Sequence, residues 1–307
     1  MRIVFMGTPQ FARFSLQALL DDGQEIAGVF TQPDKPRGRG MQMSFSPVKE
    51  LAAENGLEVF QPLTFKDGEP TRILREIAPD LVVTVAYGKL LPVDFLSVPR
   101  LGCINLHASL LPRYRGAAPI QWAVLNGESI TGVTVQYMAK EMDAGDIIAS
   151  RETAVGEFET SGQLFDRLMA LGAELLVDTV HALENGTADR VPQNEADATY
   201  TTMLDRSMSP IDWNRTPREI VKHICGLDPW PGATARLGGC DLRIFSAAYT
   251  DNTTTLLPGS IVKAGKQGIE VACAEGQTLL VTEVQPAGKK RMSAAAFLLG
   301  HPIHANE

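Results

Sequence analysis

Short apolar runs alternating with helix-forming stretches constrain the first half of this 307-residue chain more than any other feature. Runs bounded by turn residues occur at Ile3–Met6, Ile26–Thr31, Leu81–Tyr87, Cys103–His107 and Val133–Met138. Helical patterns lie between them, as at Phe11–Leu20, Pro47–Asn55 and Ala117–Asn126. Strands this short and apolar are buried on both faces, and helices between them carry the crossovers. The expected architecture is α/β: a Rossmann-like, mostly parallel sheet with helices on both faces.

The pattern then changes twice. Thr160–Asn185 reads as one long amphipathic helix, with Thr160 as N-cap, Leu164, Leu168, Leu171 and Leu175 at helical spacing, and Gly186 as the stop. Polar, irregular sequence follows from Thr187 to about Asp205. Beyond a short helix at Pro217–Cys225, Gly-punctuated β-type runs appear at Ala233–Leu237, Leu242–Ala247, Gly259–Ala264, Gly268–Ala272 and Gln277–Val284. These predict a small, OB-like β-barrel. The expected organisation is thus a first domain over 1–186, a linker over 187–205 and a second domain over 206–307.

Composition excludes some classes and leaves others open. The apolar fraction of 44% and charged fraction of 21% suit a globular protein. The longest apolar run, Leu81–Tyr87, is far too short to span a bilayer, and the apolar start Met1–Gly7 lacks a small-residue cleavage site. Cys103, Cys225, Cys240 and Cys273 form no CxxC pair, so reduced thiols and a cytoplasmic setting are expected. His301 and His304 are the one close histidine pair and have no cysteine or acidic partner nearby, so no metal is expected. A net charge of −8 speaks against nucleic acid only superficially, because residues 205–307 balance at +1 while the rest carries −9.

Two segments carry candidate chemistry. In Asn105–Gly116, strand alternation puts Asn105, His107 and Ser109 on one face, and the strand stops before Pro112. That face ends at the carboxyl edge of the sheet, where open α/β sheets bind ligands. An amide donor beside an imidazole there could hold a carbonyl oxygen that is becoming an oxyanion. The second segment, Met142-Asp143-Ala144-Gly145-Asp146, is an acidic, Gly-containing turn after the strand Val133–Met138. A carboxylate from it could fix the orientation of His107. Taken alone, neither segment decides the matter: a buried histidine is commonly structural, and Asp-Ala-Gly-Asp is also an ordinary turn.

Together these residues resemble the folate-dependent formyltransferases, which share an Asn/His/Asp trio. The resemblance rests on Asn105, His107, the Ser109–Pro112 run with Gly116, and Met142–Ile147. It extends to Phe5–Ala12, Thr31–Gly40, Ser46–Lys49, Ile211-Asp212-Trp213 and Pro229–Ala233, which look like the branch that formylates methionyl-tRNA. The resemblance implies an enzyme moving the formyl group of 10-formyltetrahydrofolate to the α-amine of methionyl initiator tRNA. Asn105, His107 and Asp143 would be catalytic. Ser109, Leu110, Leu111, Pro112, Tyr87 and Asp146 would surround the folate. Lys35, Arg37 and Arg39, in a Gly- and Pro-rich loop, and Lys289, Lys290 and Arg291 in the second domain would contact tRNA. A monomer is the default expectation.

The chain departs from the family pattern at Met203, where a basic residue is usual, and at Cys225, where arginine is usual. Met41 and Gln42 often correspond to lysines. These changes remove positive charge from regions expected to face tRNA. Two other readings compete: a folate-dependent formyltransferase or hydrolase acting on a small amine, and a non-catalytic RNA-binding relative. The cationic loop and the second domain discriminate against the first, the intact trio against the second.

Overall fold

Ile3, Val4, Phe5 and Met6 are fully buried, as a strand covered on both faces requires. In the computed structural model, which describes residues 1–37 and 42–303, they form the strand Arg2–Gly7 within a seven-stranded sheet. Its order is Ile147–Ala154, Ile130–Tyr137, Cys103–His107, Leu81–Val85, Arg2–Gly7, Glu25–Phe30 and Val59–Phe60. The pairs from Cys103–His107 through Val59–Phe60 are parallel, and Ile130–Tyr137 joins Cys103–His107 antiparallel. The chain builds outward from Arg2–Gly7 on one side, then returns to its other side at Leu81–Val85. The carboxyl ends of strands at such a reversal are the usual ligand position of open α/β sheets.

Local sequence explains most of the elements. Ser46 caps the helix Pro47–Glu54 by accepting from the Lys49 amide at 3.1 Å. Thr160 caps Ser161–Asn185: its hydroxyl accepts from the Gln163 amide at 3.2 Å, and Gln163 reaches back to the Thr160 amide at 3.0 Å. Several elements were not expected, three of them in the first unit's sheet or beside it. After the buried Ile148, Ile147–Ala154 alternates half-buried and exposed positions at the sheet edge, so it lacks a long apolar run. Val59–Phe60 is only two residues long, and Glu69–Ile77 is a helix with few apolar residues.

Two units emerge. The first comprises Met1–Ala117, Thr131–Thr153 and Asp166–Thr201; the second comprises Ala118–Ile130, Ala154–Phe165 and the chain from Thr202 onward. This differs from the expected 1–186, 187–205 and 206–307 in two respects. Residues 187–201 are not a free linker, because their backbone is hydrogen-bonded into the first unit. Val191 exchanges two amide bonds with Ile147, and Tyr200–Thr201 pairs in parallel with Arg115–Gly116. Two stretches of the first half also belong to the second unit. Leu125 packs so closely on Gly226 that a Cβ there would sit 2.5 Å away, and the Gly162 amide donates to Asp228 O at 3.1 Å.

In the second unit the five expected short strands are present and antiparallel. Their order is Ala233–Leu237, Cys240–Thr253, Gln277–Pro286, Gly268–Ala272 and Ile261–Gly265, with Met292–Ser293 adding to Gln277–Pro286. The helix Pro217–Leu227 opens with a reciprocal capping box between Thr216 and Glu219. It buries Ile220, Val221, Ile224 and Leu227, while Leu242, Ile244, Ile269, Leu279 and Val281 form the buried face of the sheet.

Candidate active site

Strand geometry assembles the first half of the site. Asn105 and His107 alternate onto one face of Cys103–His107, and the antiparallel neighbour sets Gln136 opposite Asn105 and Thr134 opposite His107. The Asn105 carboxamide is half-buried and has no hydrogen-bond partner among the described residues. His107 is 7% exposed, with Nε2 2.8 Å from Tyr114 O. A carbonyl only accepts, so Nε2 carries a proton, and Nδ1 is the ring atom turned to the site. Nδ1 stands 3.7 Å from Asp143 Oδ2, outside hydrogen-bond range but within ion-pair reach.

Asp143 is held tightly from the other side. Its Oδ2 accepts from the Gly116 amide at 2.9 Å, and its Oδ1 accepts from Gln136 Nε2 at 3.3 Å. Asp143 itself has φ of 51°, and Gly145 beside it admits no side chain, since a Cβ would lie 1.8 Å from Tyr137 O. The Asp-Ala-Gly-Asp turn is therefore built to present one carboxylate. An amide, an imidazole and a carboxylate converge at the carboxyl edge of the sheet. Such a set can polarise a carbonyl, stabilise an oxyanion and relay a proton.

Comparison with known proteins agrees in kind. The formyl transferase family model matches residues 1–180, and the model for the formyl transferase C-terminal domain matches residues 203–302. A methionyl-tRNA formyltransferase of Moorella thermoacetica is 48% identical over 307 residues, covering 100% of this chain and 98% of that one. One from Agathobacter rectalis is 46% identical over 300 residues, covering 98% and 96%. The chain belongs to the methionyl-tRNA formyltransferases, within the formyl transferase family. Solved structures agree on the fold. An N-formyltransferase from Helicobacter canadensis, in complex with folinic acid and dTDP-3-aminofucose, aligns with a TM-score of 0.69 at 17% identity, over 91% of this chain and 98% of that one. HypX from Aquifex aeolicus, in complex with tetrahydrofolic acid, aligns at 0.62 and 18%, over 97% and 47%.

The other formyltransferase candidates scatter. Leu110 and Pro112 are half-buried beside the site, whereas Ser109 is fully buried, with its hydroxyl donating to Arg113 O at 2.7 Å. Leu111 is also buried, its amide donating to Thr134 Oγ1 at 3.2 Å. The Tyr87 ring is 2% exposed and edge-on to Phe65 in the core of the first unit, and its hydroxyl has no partner among the described residues. Asp146 is engaged by Arg190 at 2.6 Å.

The cationic candidates also divide. Lys35 is exposed, at the start of a short hairpin in which Lys35–Arg37 pairs with Gln42–Ser44. It lines a cavity of about 640 Å³ together with Thr8, Gln10, Gln32 and Ser46. The Arg37 side chain, Arg39, Met41 and His304 lie outside the described residues. In the second unit, Lys289 and Lys290 are exposed and carry no ion pair among the described residues. Arg291 is committed to Glu283 and, at 3.6 Å, to Asp228, and it lies over the Phe245 ring at 4.3 Å.

Three residues hydrogen-bonded around the Asp143 turn were not expected there: Gln136, Arg115 and Gln193. Gln136 left a trace, being a polar residue at a buried position within the apolar run Val133–Met138. Gln193 left none, and Arg115, though inside the Asn105–Gly116 segment, is a surface-type residue whose identity gives no hint that it turns inward.

Proposed function

We infer that this protein transfers the formyl group of 10-formyltetrahydrofolate to the α-amino group of methionyl initiator tRNA, in the cytoplasm, as a monomer. The observation that carries this reading is similarity to methionyl-tRNA formyltransferases over nearly the full length of both chains. The convergence of Asn105, His107 and Asp143 supports the chemistry.

The reaction moves an acyl group between nitrogens. The methionyl amine, with an ordinary pKa of roughly 8, attacks in its neutral form. Its lone pair forms the new C–N bond while the formyl C=O electrons move onto oxygen. Asn105 donates to that oxygen through its unengaged carboxamide, and His107 donates through Nδ1–H. The intermediate collapses by breaking the bond to N10 of the folate. One proton must pass from the attacking nitrogen to the departing N10, and the Asp143 carboxylate, with His107 beside it, is the base placed to take it and return it. Lys35 and the loop containing Arg37 and Arg39, together with Lys289 and Lys290, hold the tRNA by its phosphates.

The test is to offer 10-formyltetrahydrofolate with methionyl-tRNA, free methionine or nucleotide-linked amino sugars, and to follow the formyl group. Transfer to methionyl-tRNA is expected. Transfer to an amino sugar alone would replace this reading with that of a small-amine formyltransferase.

A further inference from the structure

Sequence reasoning treats residues 187–205 as a connection between domains. The structure gives part of that segment a different job. From Val191 to Thr201 it crosses the back of the candidate catalytic pair and touches the support of each member. Gln193 makes the first contact. Its Nε2 lies 2.8 Å from Asp143 O, 2.7 Å from Gly145 O and 2.9 Å from Gln136 Oε1. Gln136 in turn donates to the Asp143 carboxylate. One amide therefore ties down the backbone on both sides of the Asp143 turn and the side chain that orients its carboxylate.

Gln193 is itself held. Its Oε1 accepts from Arg115 Nε at 3.0 Å and Nη2 at 2.9 Å. Arg115 is 1% exposed, and its remaining donors go to Glu195 at 2.7 and 2.9 Å and to the Tyr200 hydroxyl at 3.1 Å. A planar guanidinium fixes such a fork of acceptors with little freedom. The second contact is at Thr199. Its Oγ1 accepts from the Tyr114 amide at 2.8 Å, and its carbonyl accepts from the Arg115 amide at 2.8 Å. Tyr114 supplies the carbonyl that holds His107 Nε2, so Thr199 steadies the acceptor that sets the tautomer of His107.

We propose that residues 191–201 are a positioning strap for His107 and Asp143, with Gln193 and Thr199 as the positioning residues. The proposal rests on the catalytic reading given above. Neither residue is catalytic; each acts through the backbone and side chains that hold the pair. Their effect is expected on turnover more than on substrate binding, because a misplaced proton-transfer pair hurts the transition state most.

The experiment compares Gln193→Glu, Thr199→Val and Asp143→Asn in the full-length chain, with 10-formyltetrahydrofolate and methionyl-tRNA as substrates. Gln193→Glu keeps an acceptor for Arg115 but turns a second oxygen toward the Asp143 and Gly145 carbonyls. The expected result is a fall in kcat of about tenfold to a hundredfold with KM for both substrates within roughly threefold. In ¹⁵N-histidine NMR the His107 ring nitrogens should shift in both strap variants. A folded Gln193→Glu and a folded Thr199→Val with wild-type kcat would overturn the strap, as would losses confined to KM. If neither folds, the segment serves folding and the positioning claim fails. Asp143→Asn separates the two readings. If it is inactive while the strap variants turn over normally, only the strap is wrong; if it is active, the catalytic reading fails and takes the strap with it.

Discussion

At the scale of single residues, the site depends on few degrees of freedom. His107 has one ring nitrogen bound to a backbone carbonyl and the other facing Asp143, so its protonated form has a donor pointing into the site. His107→Asn should fold normally and lose at least about a hundredfold in turnover, because the imidazole donor to the developing oxyanion is gone. Steady-state kinetics beside a thermal melt checks this, and near-wild-type kcat would refute the assignment. Gly145 is a different kind of constraint. Its absent side chain lets the turn approach Tyr137 O, and Gly145→Ala forces the Asp143 turn outward. Destabilisation of about 1–3 kcal/mol is expected from the crowding, with kcat falling further than stability predicts. Denaturant unfolding and kinetics on the same sample separate the two effects.

At the scale of elements, the second unit is pinned by a polar cluster at the helix Pro217–Leu227. Lys222 is 5% exposed, and its Nζ donates to Glu157 O at 2.5 Å, with Glu157 Oε2 at 3.4 Å. The Tyr249 hydroxyl donates to Glu157 Oε1 at 2.6 Å. That hydroxyl bond first, and the Lys222 charge after it, hold the Glu157 carboxyl below the ordinary glutamate range. A lowered folded-state pKa means that the contribution to stability is complete above the unfolded value and is lost as pH falls through the folded one. Melting temperature should therefore drop on acidification below the ordinary glutamate range. Tyr249→Phe should flatten that part of the profile, whereas an unchanged profile would show that the bond contributes nothing to folding.

At the scale of the whole molecule, the two units are not consecutive in sequence, and this governs how tRNA binding is best tested. A chain ending after Asp205 would retain Ala118–Ile130 and Ala154–Phe165 without the helix Pro217–Leu227 that their residues pack on. Such a truncation is expected to expose apolar surface, and aggregation on gel filtration would reveal it. Charge substitution in the intact chain avoids the problem. Lys289→Glu with Lys290→Glu should weaken methionyl-tRNA binding and flatten its salt dependence while leaving the KM for folate unchanged. An unaltered salt slope would remove these two lysines from the tRNA surface. Arg291 is a poor choice for the same test, because its ion pairs and its stacking on Phe245 make its loss a packing defect.

Sequence alone determined what depends on local periodicity and short-range chemistry. Buried parallel strands read as apolar runs, so the central sheet was visible from Ile3–Met6 to Val133–Met138, and Thr160 and Gly186 marked the ends of the long helix. Asn105 and His107 share a face because strand alternation leaves no other arrangement. Only the tertiary structure decided what depends on residues far apart in the chain. Ile147–Ala154 is an edge strand, and half-exposed edges carry no apolar signature. Tyr87, which the resemblance placed beside the folate, has its ring packed in the core against Phe65. The strap belongs to the same class, since Gln193 meets Asp143 across 50 positions of sequence. Polar residues in irregular sequence look like solvated linker until a buried partner such as Arg115 gives their hydrogen bonds somewhere to go.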